Sequence, residues 1–561
     1  MHRRGDLPEC YIWRVNRIAA VTALLVVALG AAAAEEPAKE QGEGQPVPPP
    51  AELEAAGAII GEIIYDRQNV FDPSKPGENN ALYRLANRWH IVTRDSVIRN
   101  QLLFRPGDLY SKRLLEESER ILRQNVYFYD AKIEPVRYEN GIVDVRVRTR
   151  DLWTLMPGAS ISRSGGENRT RLSLSERNLL GRGVNLRFSY VDNVDRESMS
   201  FQYFDRNLGR TWTSLFFELA DSSDGDTADV RVVRPFYELD ARWSAGGTFF
   251  DDSQEDVFYD LGNEAAEYAV DRDFHTAFYG WSKGLVDGWV RRWTTGVVYD
   301  DNRFSAVSDG TLPALVPSDR KLVYPYIGFE LLEDHFESTS NRDQIDRTED
   351  FYLGTRFGAT LGYASEDFGA DRESLVYRLS LSRGYGAMSN KALLLSGSLA
   401  GRIDDGDSAN RRLDIDASYY NQISDKRLFY MTLHATGGSN LDLDKLVELG
   451  GDNGLRGYPL RYQTGESSVL FTIEQRYFTD WYPFRLFRVG GAAFADVGRV
   501  WGEDPVGGQR LGWLKDIGIG LRLAPTRASG RDVIHIDVAF PLDGDPTIDT
   551  VQFLIESKRS F

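Results

Sequence analysis

The segment Gly450-Gly451-Asp452-Asn453-Gly454-Leu455-Arg456-Gly457-Tyr458-Pro459 interrupts a long series of alternating apolar and polar residues. Gly454 and Gly457 allow positive φ and close backbone approach, so Arg456 is presented on a tight, ordered loop. Further along stands Phe494-Ala495-Asp496-Val497-Gly498, inside the strand-like segment 489–501. Successive strand side chains point to opposite faces, so Phe494, Asp496 and Gly498 share one face while Ala495 and Val497 share the other. Asp496 is thereby a candidate carboxylate on the interior face of a closed sheet.

Outward from these motifs the alternation runs from about Thr154 to Phe561. Val184, Leu186, Phe188 and Tyr190 alternate with Asn185, Arg187 and Ser189, and Leu413, Ile415, Ala417 and Tyr419 with Asp414, Asp416 and Ser418. One wet face and one apolar face fit a sandwich or a barrel. The absence of an evident helical interruption, the aromatic ends of the apolar faces and the acidic turns favour a membrane barrel. The expectation is a mainly β protein with a transmembrane antiparallel barrel over 152–561. About fifteen candidate strands precede the Arg456 loop, and five follow it (469–478, 489–501, 516–524, 533–541 and 550–557).

The 561 residues hold 66 Lys and Arg against 84 Asp and Glu, a formal charge of −18. Without a long basic run such a chain lacks the phosphate-neutralising surface on which nucleic-acid affinity rests, and that class is excluded. The single cysteine, Cys10, lies in a segment that reads as an export signal over 1–34. Arg3, Arg4, Arg14 and Arg17 lead into the apolar run Ile18 to Leu29, which ends at Ala31 to Ala34. Residues 35–56, with Pro48-Pro49-Pro50, lack apolar periodicity and read as a Pro-rich linker.

Residues 57–151 have the pattern of a small α+β module. The β-branched run Ile59-Ile60 and Ile63-Ile64-Tyr65 opens it, and Pro73 and Pro76 mark an insertion over 72–90 with a short helix around Ala81 to Trp89. Val97-Ile98 and Leu102-Leu103 have helical spacing, and Ser111 is placed to cap a helix through Leu115, Ser118 and Leu122. Two strands, Ala131 to Tyr138 and Ile142 to Arg148, flank the turn Glu139-Asn140-Gly141. The order is strand, helix, helix, strand, strand.

Together these features resemble the BamA/TamA-type outer-membrane protein-assembly superfamily, which includes the two-partner-secretion transporters. Leu455, Arg456, Gly457 and Tyr458 match that family's V-R-G-[FY] loop motif, with Leu in place of Val, and Phe494, Asp496 and Gly498 match its F-x-D-x-G motif. The resemblance implies an Arg456–Asp496 pair that holds the loop inside the barrel. Asn178-Leu179-Leu180-Gly181-Arg182-Gly183 resembles a family turn between early strands. Phe553, Ile555 and Phe561 resemble its aromatic-ended last strand, the assembly signal, although Ser557-Lys558-Arg559-Ser560 lacks the usual glycine. The module at 57–151 has the order of a POTRA domain, and the family implies sixteen barrel strands.

What the resemblance implies is a barrel in the bacterial outer membrane, with its POTRA domain in the periplasm; a monomeric barrel is the expectation, although the sequence leaves the oligomeric state open. Such proteins insert or translocate polypeptides; unfolded outer-membrane or secreted chains and outer-membrane lipid would be the partners. The alternatives are a two-partner-secretion exporter with a dedicated substrate and a passive diffusion porin. No H-E-x-x-H, G-x-S-x-G or G-x-x-x-x-G-K-[ST] motif occurs, so the expectation is a non-enzyme without metal or cofactor.

Overall fold

Apolar-polar alternation with period two builds the larger part of this chain, and a computed structural model describes it over residues 47–307, 315–507, 511–546 and 548–561. The export-signal reading and residues 35–46 of the linker lie outside those residues.

The linker reading fails at its end. Pro50–Ala55 is a helix (α1), because a proline is tolerated in a first helical turn, where its missing N–H has no partner to lose. Leu53 is fully buried, so the module begins at α1 rather than at residue 57. The chain continues through Ile59–Gln68 (β1), Ala81–Trp89 (α2), Asp95–Arg99 (α3), Lys112–Arg123 (α4), Phe128–Glu139 (β2) and Ile142–Asp151 (β3). The sheet order is β1-β3-β2, with β1 parallel and β2 antiparallel to β3. Asn140 (φ 52°) and Gly141 (φ 80°) form the left-handed pair that a two-residue hairpin needs. Ser111 precedes α4 as expected, but its side chain makes no cap. Glu54 of α1 does so instead, accepting the Lys112 N–H at 2.8 Å.

Among the described residues twenty antiparallel strands close the barrel, from Leu155–Ser164 (first) to Gln552–Lys558 (twentieth). This corrects the expected sixteen. Fifteen strands precede the Arg456 loop and five follow it, so the alternation in the sequence counted the strands and the family resemblance undercounted them. Three consecutive strands, Trp243–Asp260, Asn263–Val286 and Trp289–Ala306, are far longer than the roughly nine to eleven residues needed to cross a bilayer.

The burial pattern is inverted relative to a water-soluble domain. Leu379, Leu381, Leu413, Ile415, Ile517 and Ile519 are exposed on the outside, whereas Glu474, Arg476, Asp496, Arg522 and Asp537 are buried inside. An apolar exterior around a polar interior is what a lipid-embedded barrel requires. The turns at one end contact the module, and the Arg456 loop enters from the other.

Candidate functional site

The Arg456 loop joins the fifteenth strand (Arg427–Ser439) to the sixteenth (Ser467–Phe478) and folds into the lumen. Arg456 donates from Nε to Asp496 Oδ2 at 2.7 Å and from Nη2 to Oδ1 at 2.8 Å, a two-pronged grip on the seventeenth strand, Phe487–Trp501. Its Nη1 donates to Glu474 Oε1 at 2.8 Å, and its guanidinium lies 3.4 Å from the Phe494 ring centroid. Burial alone would lower the guanidinium pKa; Asp496 and Glu474 reverse that and raise it, so the group stays charged. Thr472 Oγ1 donates to Asp496 Oδ1 at 2.7 Å, which fixes the carboxylate in turn.

The neighbouring motif residues have equally specific places. Leu455 is fully buried with Leu449, Leu470 and Leu514. A Cβ on Gly498 would come within 2.7 Å of Leu449 Cδ2 and 3.2 Å of Leu455 Cδ2, so the F-x-D-x-G glycine makes room for the loop. Gly457 does not adopt the positive φ expected of it. A Cβ there would lie 2.6 Å from Asp516 Cβ, and its N–H donates to Asp516 Oδ2 at 3.0 Å. Tyr458 is fully buried; its hydroxyl bonds Asp543 Oδ1 at 2.6 Å and accepts from the Lys515 N–H at 3.0 Å.

A second segment, 334–355 between the tenth and eleventh strands, fills the module end of the lumen. It carries the hairpin Phe336–Thr339 and Glu349–Tyr352. The Arg342 carbonyl accepts from Arg476 Nη1 at 2.7 Å, and Arg476 in turn bonds Glu474 at 2.9 Å. A chain of buried charges therefore links this plug to the Arg456 loop. The sequence reading missed the plug, whose only sign was a charged stretch, Arg342 to Arg347, too polar to continue the alternation.

Phe561 lies beyond the end of the last strand and turns inward. The strand ends at Lys558, and Phe561 is buried in the lumen against Phe478 at 4.9 Å between centroids. The polar run 557–560 breaks the alternation, and interior donors capture it. Gln344 Nε2 donates to the Arg559 carbonyl at 2.5 Å, and His535 Nε2 lies 2.7 Å from the Ser560 carbonyl. Phe553 and Ile555 do face outward, exposed on the barrel surface.

This inward turn leaves the closure of the barrel thin. Among the described residues the first and twentieth strands share one register pair, Ile555–Arg163, whereas the other neighbouring barrel strands share seven or more. Arg163 lies near the end of the first strand away from the module, so no register pair between the two strands lies toward the module among the described residues.

The module is fastened beneath that end. Arg123 bonds both carboxylate oxygens of Asp350 on the plug, at 2.8 and 2.7 Å. Asn178, first residue of the early turn motif, donates to Thr93 Oγ1 at 2.8 Å, and Thr93 donates from N and Oγ1 to the buried Asp151 at 2.7 and 2.9 Å. Burial pushes Asp151 up to about 7 and the adjacent His90 down to about 4. His90 Nε2 and Asp151 Oδ2 lie 3.8 Å apart.

The two sheet edges of the module differ. On β2, Ile133 N–H donates to Glu119 Oε1 at 2.6 Å, Ala131 N–H to Asp130 Oδ1 at 2.8 Å, and Pro135 has no N–H to offer. The start of β1 is covered by residues 107–110, with Ile60 N–H donating to the Asp108 carbonyl at 2.9 Å. From Ile63 to Gln68 the outer side of β1 has no backbone partner among the described residues.

Residues 90–150 match the POTRA family, described as a surface antigen variable number repeat. The POTRA match leaves out β1 and starts at the last residue of the 72–90 insertion. No curated protein matches the chain. Among solved structures it is similar to BamA from Haemophilus ducreyi lacking POTRA domains 1–3, at 13% identity and a TM-score of 0.36, over 89% of this chain and 84% of that one. It is likewise similar to CdiB from Escherichia coli, at 13% identity and a TM-score of 0.45, over 89% and 76%. CdiB from Acinetobacter baumannii gives 13% identity and a TM-score of 0.41, over 89% and 74%.

Proposed function

We propose that this protein inserts or translocates polypeptides at the bacterial outer membrane, with the POTRA module in the periplasm and the seam as the working part. The observation that carries the reading is that, among the described residues, one register pair, Ile555–Arg163, joins the first and last strands. A closed barrel exposes no strand edge to lipid, where each unsatisfied backbone group costs several kcal/mol. A seam with few bonds to break lowers the cost of presenting such an edge to an incoming strand. The unpaired edge of β1 is where an unfolded client adds its own strand, a mode that needs backbone bonds and little sequence.

The Arg456 loop and the 334–355 plug keep the lumen occupied while the wall opens, and their polar and charged contacts supply positioning rather than bond chemistry. The same two segments disfavour a passive porin, whose lumen is a water channel. Export of a dedicated substrate stays the second reading, because the long strands 243–306 extend the barrel beyond a bilayer's needs.

The test is folding of an unfolded outer-membrane barrel into liposomes that carry the purified full chain. Acceleration over protein-free liposomes is the expected result. An unchanged rate, with steady ion currents through the same liposomes, overturns the insertase reading in favour of a pore.

A further inference from the structure

Helix α2 in the 72–90 insertion carries an apolar stripe that the fold leaves uncovered. Leu82, Leu85 and Trp89 are 54%, 42% and 70% exposed and fall on one side of the helix at i, i+3 and i+7. The other side is committed to the fold: Tyr83 stacks on Phe71 at 4.1 Å between centroids, and Asn87 holds both the N–H and the carbonyl of Phe71. Arg84 and Arg88 border the stripe on its far flank, and α2 contains no acidic residue.

The helix lies against the rim of the barrel. Tyr83 Oη donates to the Phe484 carbonyl at 2.5 Å, in the turn joining the sixteenth and seventeenth strands, and Tyr83 and Ala86 pack with Leu486 of that turn and with Trp153. That turn also exposes Trp481 and Phe484, at 64% and 53%. Aromatic side chains at a barrel rim sit at the boundary between headgroups and acyl chains. The stripe is thus carried on a helix whose opposite side is docked against the aromatic rim of the barrel.

We infer that α2 lies in the lipid leaflet on the module side, with Leu82, Leu85 and Trp89 among the acyl chains and Arg84 and Arg88 at the phosphates. An amphipathic helix with a basic border binds an anionic lipid surface in this manner. A protein partner for the same stripe would gain nothing from the seat of α2 at the rim. The inference rests on the outer-membrane reading and adds a second membrane contact to it, placed on the module close to Trp153, where the chain enters the first strand.

The experiment uses the full chain with Cys10→Ser, bearing one environment-sensitive fluorophore on Leu85→Cys, on Trp481→Cys or on Lys132→Cys of β2. Each is reconstituted in phosphatidylethanolamine–phosphatidylglycerol vesicles containing a lipid with a nitroxide near its headgroup, and is also exposed to aqueous iodide. The inference predicts severalfold stronger nitroxide quenching at positions 85 and 481 than at 132, with the iodide order reversed. If position 85 behaves like 132 while 481 remains in lipid, α2 is in water and the inference fails with the barrel reading intact. If 481 also reads as water, the membrane reading itself fails. Shielding of position 85 only after an unfolded polypeptide is added makes the stripe a protein-docking surface and overturns the lipid assignment.

Discussion

Arg456 holds Asp496 through two hydrogen bonds, of 2.7 and 2.8 Å, and this grip fixes a loop to the inside of a barrel wall. Taking two charges out of water offsets much of what their attraction supplies, so the net gain in stability is small. Breaking the pair leaves a buried carboxylate uncompensated, at a cost of about 3–5 kcal/mol. Arg456→Ala is expected to release the loop while the barrel stays inserted. Cleavage of residues 450–459 by subtilisin should appear at protease levels that spare the parent, and insertion activity should fall. Arg456→Lys should restore little, because an ammonium cannot make the two parallel bonds.

Gly498 acts on the same loop through space alone. Gly498→Val places branched carbons where Leu449 and Leu455 now sit, within about 3 Å of their Cδ atoms. The expected cost is about 1–3 kcal/mol, read as subtilisin sensitivity like that of Arg456→Ala with the Arg456–Asp496 residues intact. Gly498→Val combined with Leu455→Ala should recover part of the loss.

His90 and Asp151 impose opposite pH slopes on the module. Burial holds His90 down at about 4, so its neutral form favours folding above the ordinary histidine pKa of 6.5, and that stability is lost as pH falls from 6.5 toward 4. Asp151 is raised to about 7, so folding gains as pH falls from 7 toward the unfolded carboxylate value. In the parent the two slopes offset each other between about 4 and 6.5. Asp151→Asn should expose the His90 slope, with the urea midpoint of the module dropping from pH 6.5 to 4.5. His90→Gln should expose the Asp151 slope, with the midpoint rising over the same interval. Each change is up to about 3 kcal/mol.

The difference between the two module edges predicts where a client lies. A photocrosslinking residue at Ile64 of β1 should capture an unfolded client, and one at Glu134 of β2 should not. Capture at both positions, or at Glu134 alone, would place recruitment elsewhere.

Strand number and module order were legible because each leaves a local or periodic trace, whereas the Arg456–Asp496 pairing was implied by the family resemblance alone. Alternation gave fifteen strands and five around the loop, and only the family expectation pulled that count down. The misreadings share one physical cause, which is contact distant in sequence. Pro48-Pro49-Pro50 reads as linker until Leu53 is seen buried and Glu54 is found capping α4. The inward turn of Phe561 was likewise hidden, because Gln344 and His535 hold the two preceding carbonyls from far along the chain. The 334–355 plug has no pattern of its own, because its partners, Arg476, Tyr420 and Asp130, lie on three other parts of the chain.

On the proposed function, the seam between the first and twentieth strands opens while a client is inserted. Arg163→Cys and Ile555→Cys, at the register pair that joins the two strands, place two thiols on facing positions in a chain with Cys10→Ser. With the disulfide formed, acceleration of client insertion into liposomes should disappear, and reductant should restore it. Full acceleration by the oxidised, crosslinked protein would contradict the claim.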